Sequence, residues 1–201
     1  MAEPRRRRAA TEEKVTRVLD AAEEIMLGEG YAAVTSRSVA ARVGIPAPLL
    51  HYYFPTIDDL FVAVVRRRSA QYVERMTAAL TSPQPLRAWW DLASDPRGTV
   101  LFVELLAAVN HRPVLKVEVG EVAREMRRMQ MAVLDEVLPD YGIDPDEFPS
   151  ALIAAAMQGL ALGLVSDEVA GYETAHKRAR AAMSRLVARL ERRRAHRRPA
   201  R

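Results

Sequence analysis

Glu104 and His111 lie seven residues apart, a spacing that returns a side chain to the same helix face after two turns, and His176 is a third residue of metal-binding type. So dispersed a set, in a chain without cysteine, is a weak metal constellation, because isolated His and Glu on helices ordinarily cap ends or face water. Hydrolytic and nucleotide chemistry fare no better. There is no Gly-x-Ser-x-Gly elbow and no Gly-rich loop before a Lys-Ser/Thr pair, and no strand is expected on which to mount one. The expectation is a protein that is not an enzyme, holds no metal and needs no cofactor.

A tighter constellation lies between residues 35 and 53. Two short helices cross steeply only when the first carries a small residue where the second passes and a glycine permits the turn between them. Ala40 stands four residues before Gly44, and Val39, Val43, Ile45, Leu50 and Tyr53 fall where such a pair turns its side chains inward. Thr35-Ser36 is a ready N-cap, which places backbone N–H groups and hydroxyls where a DNA phosphate can be held.

The elements that must carry this pair are helical throughout. Apolar residues recur at helical spacing along almost the whole chain and no alternating pattern persists, so the fold class is all-α, with about nine helices. Val15, Val18, Leu19, Ala22, Ile25 and Met26 form the stripe of a first helix, capped by Thr11 and stopped by Gly28 and Gly30. Short helices are expected over Ser36 to Val43 and about Ala47 to Phe54, and Thr56 caps a longer one running to Leu80. Thr81 to Arg97, with Pro83, Pro85 and Pro96, reads as a loop holding a short helix around Trp89. Helices then cover Thr99 to His111, Val114 to Leu138, Pro149 to Val169 and Tyr172 to about Arg193.

The net charge of +4 is concentrated at the ends: residues 1–8 hold four Arg and one Glu, residues 189–201 seven Arg and one Glu, so the body between is acidic. Such arginine runs either neutralise DNA phosphate or remain solvated ends. The start lacks the apolar run of a signal peptide, and no stretch reaches roughly 18 uninterrupted apolar residues. A soluble, cytoplasmic protein without a membrane partner is expected.

The run Val34-Thr35-Ser36-Arg37-Ser38-Val39-Ala40-Ala41-Arg42-Val43-Gly44-Ile45, followed by His51-Tyr52-Tyr53-Phe54-Pro55-Thr56-Ile57-Asp58-Asp59-Leu60, resembles the DNA-binding domain of the TetR family of repressors. The resemblance covers residues 11–71; beyond Arg75 it rests on length and helix layout. It implies a basic arm over 1–10, taken as disordered, and a helix-turn-helix domain over 11–71 with its motif at about 34–54. A helical ligand-binding and dimerisation domain over 72–195 and a disordered basic tail over 196–201 complete the layout. It also implies roles at matching positions. Thr35 and Ser36 hold phosphate, Arg37 reaches a base edge or phosphate, Ala47, Pro48, Leu49 and His51 face the major groove of operator DNA, and Tyr52 grips the backbone. Leu49, His51 and Ile57 depart from the family's usual Ser/Thr, Tyr and Lys, and Ile57 forfeits a charge contact. Arg5 to Arg8 are expected to compensate along the minor groove or the phosphates. Tyr53 and Phe54 are read as packing. Arg42 is open to two readings, phosphate contact or solvated charge, and Arg66, Arg67 and Arg68 as surface or interdomain charges.

In the second domain, Leu152, Ala155, Ala156, Gly159, Leu160 and Gly163 put small residues on one helix face. Ala175, Ala179, Ala182, Met183, Leu186, Val187 and Leu190 form a stripe on the next. The favoured reading is a homodimer through these two helices, the other being intramolecular core. By resemblance the middle helices hold a small, largely hydrophobic effector, with Trp89, Phe102, Leu106, Asn110, Met126, Gln130 and Met157 as lining. The function expected is a sequence-specific regulator, a repressor released by its effector; the alternative is a dimeric DNA-binding or architectural protein with no effector.

Overall fold

The computed structural model describes residues 2–169 and 171–197. Among them it places nine α-helices, α1 (Ala2–Glu29), α2 (Ser36–Val43), α3 (Ala47–Tyr53), α4 (Ile57–Leu80), α5 (Pro85–Ala93), α6 (Pro96–His111), α7 (Pro113–Val137), α8 (Ser150–Val169) and α9 (Glu173–Arg197). Short 3-10 turns lie at Tyr31–Ala33 and Leu138–Tyr141, and no strand occurs among the described residues. The fold is all-α.

Local chemistry explains the bounds that matter for the site. Thr35 caps α2 reciprocally: its hydroxyl accepts from Ser38 N–H at 3.0 Å while Ser38 Oγ accepts from Thr35 N–H at 2.9 Å. At the other end Gly44 takes the left-handed conformation (φ 73°, ψ 37°), its N–H reaches Ala41 O, and Ile45 N–H reaches Ala40 O at 3.0 Å. Ala40 is buried, and α2 packs against α3. A second reciprocal cap, between Thr56 and Asp59, opens α4 and holds the Asp59 carboxyl below its usual pKa.

The structure divides into two compact units. The first comprises the described residues to Arg68 together with Leu101–Val122; the second comprises Ser69–Val100 and the described residues from Ala123 onward. Val18, Ala22 and Ile25 of α1, Val39 of α2, Leu50 of α3 and Leu60, Phe61 and Val64 of α4 form the first core, and Leu101, Ala108 and Leu115 belong to it. Burial of those three explains why part of α6 and α7 joins the N-terminal unit rather than following the single boundary expected near residue 71. The second core gathers Met76, Leu80, Trp89, Trp90, Leu134, Leu138, Met157, Leu164 and Val187.

Some features differ from the sequence expectation. Residues 2–10, expected as an arm ahead of a Thr11 cap, are helical and continuous with α1. Between Thr81 and Arg97 the short helix expected around Trp89 is α5, opened by Pro85, whereas α6 begins at Pro96, ahead of the expected Thr99. Ser150–Asp167 of α8, which Gln158, Ser166 and Asp167 keep from being an uninterrupted apolar run, is long and apolar enough to suit a membrane span by length and composition. One face of that helix, Ala154, Met157, Ala161 and Leu164, is nevertheless buried in the second core. Of the expected tail 196–201, His196 and Arg197 close α9 and residues 198–201 lie outside the described ones.

Candidate nucleic-acid interface

The surface of α3 is set by what its neighbours bury. Leu50 is 1% exposed and Phe54, just past the helix, is buried, both in the first core; Tyr53 is half-buried, edge-on to Tyr52 with ring centroids 5.3 Å apart. Positions one to two residues away around the helix are thereby turned outward. Ala47, Pro48 and His51 are exposed, Leu49 is half-buried, and Tyr52 is 78% exposed. One convex edge of the helix thus carries Ala47, Pro48, His51 and Tyr52, with a polar end and an apolar beginning.

The start of α2 offers a different kind of surface. Its Thr35 hydroxyl is occupied by the cap, and the Ser38 and Val39 N–H groups are bonded to Thr35. The N–H groups of Ser36 and Arg37 are the first of the helix and have no intrahelical partner, so they can receive an anion. Arg37 is exposed and, among the described residues, unpaired. Thr35 shapes the start of this helix.

Arg42, which the sequence left between two readings, bonds Glu29 at 2.8 Å and lies 3.7 Å from Glu24. Both acids are on α1, so its charge is matched within the domain. Arg17 of α1 donates to Val43 O at 3.0 Å, which satisfies a terminal carbonyl of α2 and braces the helix pair. Arg67 is more than a surface charge. It bonds Asp20 at 2.7 Å and the buried Glu23 at 2.5 Å, tying α4 to α1. These partners come from helices whose packing the sequence pattern does not specify.

Glu104 and His111 do share a face of α6, but both attend to Tyr31. The Tyr31 N–H donates to Glu104 Oε2 at 2.6 Å, and the Tyr31 ring stacks on His111 with centroids 5.8 Å apart and planes 8° from parallel. The turn that leads into α2 is thus fastened to α6 within the first unit. His176, in the second unit, bonds the Leu164 carbonyl at 2.6 Å. Among the described residues no three His, Cys, Asp or Glu gather as a metal site.

The residues expected to line an effector site are distributed between the units. Trp89, Gln130 and Met157 are buried and Met126 half-buried in the second; Phe102, Leu106 and Asn110 are exposed on the first unit's part of α6. Trp89 Nε1 is buried beside the Tyr72 hydroxyl without a well-formed hydrogen bond, and burial pushes the Tyr72 pKa up. Sequence reading missed a polar cluster in the same unit. Buried Glu191 accepts from the Tyr141 hydroxyl at 2.9 Å and from Arg87 N–H, in the first turn of α5, at 3.0 Å. Burial and the neighbouring carboxylate push the Tyr141 pKa far up. The signal available was only a Glu within an arginine run, which does not reveal a partner fifty residues away.

Residues 18–64 match the model of the bacterial regulatory proteins of the tetR family. The fatty acid metabolism regulator protein of Bacillus subtilis (strain 168) is 20% identical over 159 residues, 78% of this chain and 81% of that protein. A member of the TetR family from Streptomyces coelicolor superposes with a TM-score of 0.63 at 26% identity, covering 89% of this chain and 98% of its own. The multidrug binding protein EbrR, complexed with ethidium, does so with a TM-score of 0.58 at 25% identity, covering 89% and 98%.

Proposed function

Through its N-terminal domain this chain belongs to the tetR family of bacterial regulatory proteins, and from that premise we propose that it is a dimeric repressor whose α3 reads operator DNA and whose second unit takes a small hydrophobic effector. The observation that carries the DNA-binding part is the exposed edge Ala47, Pro48, His51 and Tyr52, held outward by buried Leu50 and Phe54, together with an exposed Arg37 that has no acidic partner among the described residues. A helix so presented fits the major groove with its first residues at the base edges. Ser36 and Arg37 N–H groups and Tyr52 supply phosphate contacts that fix its register. Thr35, by capping α2, and Leu49, at the margin of the exposed edge, complete the contact set. Arg5 to Arg8 add electrostatic attraction, so removal of residues 1–8 flattens the salt dependence of binding.

For the effector, the reading is supported by the methionine- and tryptophan-rich second core and by two relatives, one a regulator of fatty acid metabolism and one complexed with ethidium. We assign Trp89, Met126, Gln130 and Met157 to that site, with Trp89 Nε1 and Gln130 as its polar handles. Helix α6 contributes to both units, and Glu104 fastens it to the turn ahead of α2. Release then requires that the effector favour a conformation in which this fastening moves the recognition helices off their half-sites. The test is selection from a random duplex pool at moderate salt, followed by a thermal-shift screen of hydrophobic compounds paired with DNA release. Enrichment of a two-fold symmetric site, and compounds that raise the melting temperature while releasing DNA, are expected. A pool that stays random refutes the regulator, and stabilising compounds that never release DNA refute the sensor.

A further inference from the structure

The hydrogen-bonding capacity of α3 is spread unevenly along it. Ala47, Pro48 and Leu49 have no side-chain donor or acceptor, Leu50 is buried, and Tyr53 is half-buried against Tyr52. Only His51 and Tyr52 remain on the exposed edge to make a directional bond with a base. They differ in kind. A phenol both donates and accepts through a rotating proton, whereas a neutral imidazole has one donor nitrogen and one acceptor nitrogen in fixed directions.

His51 Nδ1 lies 3.2 Å from the Pro55 carbonyl oxygen. A carbonyl only accepts, so this contact is a hydrogen bond only when Nδ1 carries the proton. The carbonyl is available for it. In a continuous helix the Asp59 N–H would reach back to Pro55, but here it is bonded to Thr56 Oγ1 at 3.1 Å. The cap that starts α4 thus leaves an acceptor beside the last turn of α3.

We propose that the Pro55 carbonyl fixes His51 as the Nδ1–H tautomer, so that Nε2 enters the major groove as an acceptor and selects an amino-bearing base, cytosine or adenine, at one position in each half-site. The groove offers a donor to such a nitrogen only at cytosine N4 and adenine N6. Guanine O6 and N7, thymine O4 and the phosphates present lone pairs, which an acceptor cannot bond. His51 is therefore a base-selecting residue rather than a backbone contact. This rests on the reading of α3 as the recognition helix.

Two measurements on the full chain at pH 8, where an imidazole is ordinarily neutral, test it. Long-range proton–nitrogen NMR correlations of labelled protein, with His51 assigned by difference from His51→Phe, are expected to show the proton on Nδ1; a proton on Nε2 overturns the proposal. Random-pool selections are then run with the wild type, His51→Phe and His51→Lys. The wild type is expected to favour C or A at one position per half-site by about three- to tenfold. In His51→Phe that position becomes degenerate, and in the donor-only His51→Lys it moves to G. An unchanged site in His51→Phe overturns the role of His51 while DNA binding stands, whereas a wild type that enriches nothing overturns the functional reading itself and this role with it.

Discussion

Arg37 and Arg42 sit on the same eight-residue helix, yet Arg42 is matched by Glu24 and Glu29 of α1 while Arg37, among the described residues, has no acid beside it. An arginine already neutralised by two carboxylates has little charge to offer a phosphate, so the two positions should separate cleanly on DNA. Arg37→Ala is expected to weaken binding about tenfold and to reduce the slope of log affinity against log salt by about one. Arg42→Ala should change affinity by less than about twofold and, as an exposed pair, stability by ~0–1 kcal/mol. Anisotropy titrations across a salt series check both; equal losses at the two positions would refute the distinction. Tyr141 makes a second residue-scale prediction. Its pKa is raised by burial and by Glu191, and that of Tyr72 by burial, so both hydroxyls stay neutral in the folded chain at a pH where the unfolded chain ionises them. The stability this contributes is complete below the unfolded tyrosine value of ~10 and is lost as pH rises beyond it. Urea midpoints should therefore fall above about pH 10, and Tyr141→Phe should lower the midpoint at pH 8, by removing a bond to buried Glu191, while flattening the alkaline fall. A steep fall unchanged in Tyr141→Phe would show that the hydroxyl is not held neutral.

At the scale of elements, the helix pair was legible because its determinants are local. Ala40, Gly44 and the Thr35 cap act within a few residues, and α2 spans Ser36–Val43 as the sequence implied. Gly44 gives a clean test, since a Cβ built there would meet nothing within 4 Å and the left-handed backbone is the sole obstacle. Gly44→Ala is expected to cost about 1–2 kcal/mol, read as a lower denaturant midpoint with the α3 contacts kept; a loss several times larger would mean the turn tolerates no adjustment. What was not legible involves prolines and helix starts. Pro85 and Pro96 are each the first residue of a helix, where the absent N–H is no loss, so residues that read as parts of a loop are beginnings. At the N-terminus Thr11 could cap, but Ala9, Ala10 and Arg5 to Arg8 are good helix formers and Pro4 falls in the first turn, so the helix runs through it. The site's acid partners were hidden for a related reason. Glu24, Glu29 and Glu191 reach their arginine and tyrosine partners only through helix packing, which periodicity constrains to a face and not to a neighbour.

At the scale of the whole molecule, the faces of α8 and α9 that the second core does not use bear on assembly. Leu152, Ala155, Ala156, Gly159, Leu162 and Gly163 of α8 are exposed, as are Ala182 and Leu186 of α9. An α8 apolar enough to suit a membrane span, but buried along one face only, leaves apolar surface in water that a second copy can cover. The small residues among them allow two helix pairs to approach closely, and a two-fold regulator needs two recognition helices about 34 Å, or a multiple of that, apart. Leu162→Glu puts a charge into that face without touching the buried set Ala154, Met157, Ala161 and Leu164. The variant is expected to keep its helical circular dichroism, to run as a monomer by light scattering at micromolar concentration, and to lose at least about a hundredfold in affinity for a two-half-site operator. For a single half-site it should bind as the wild type does, because α3 and Arg37 lie on other helices. If Leu162→Glu remained a dimer, or if the wild type were a monomer, the face would need another occupant, and the spacing of half-sites could not be set by α8 and α9.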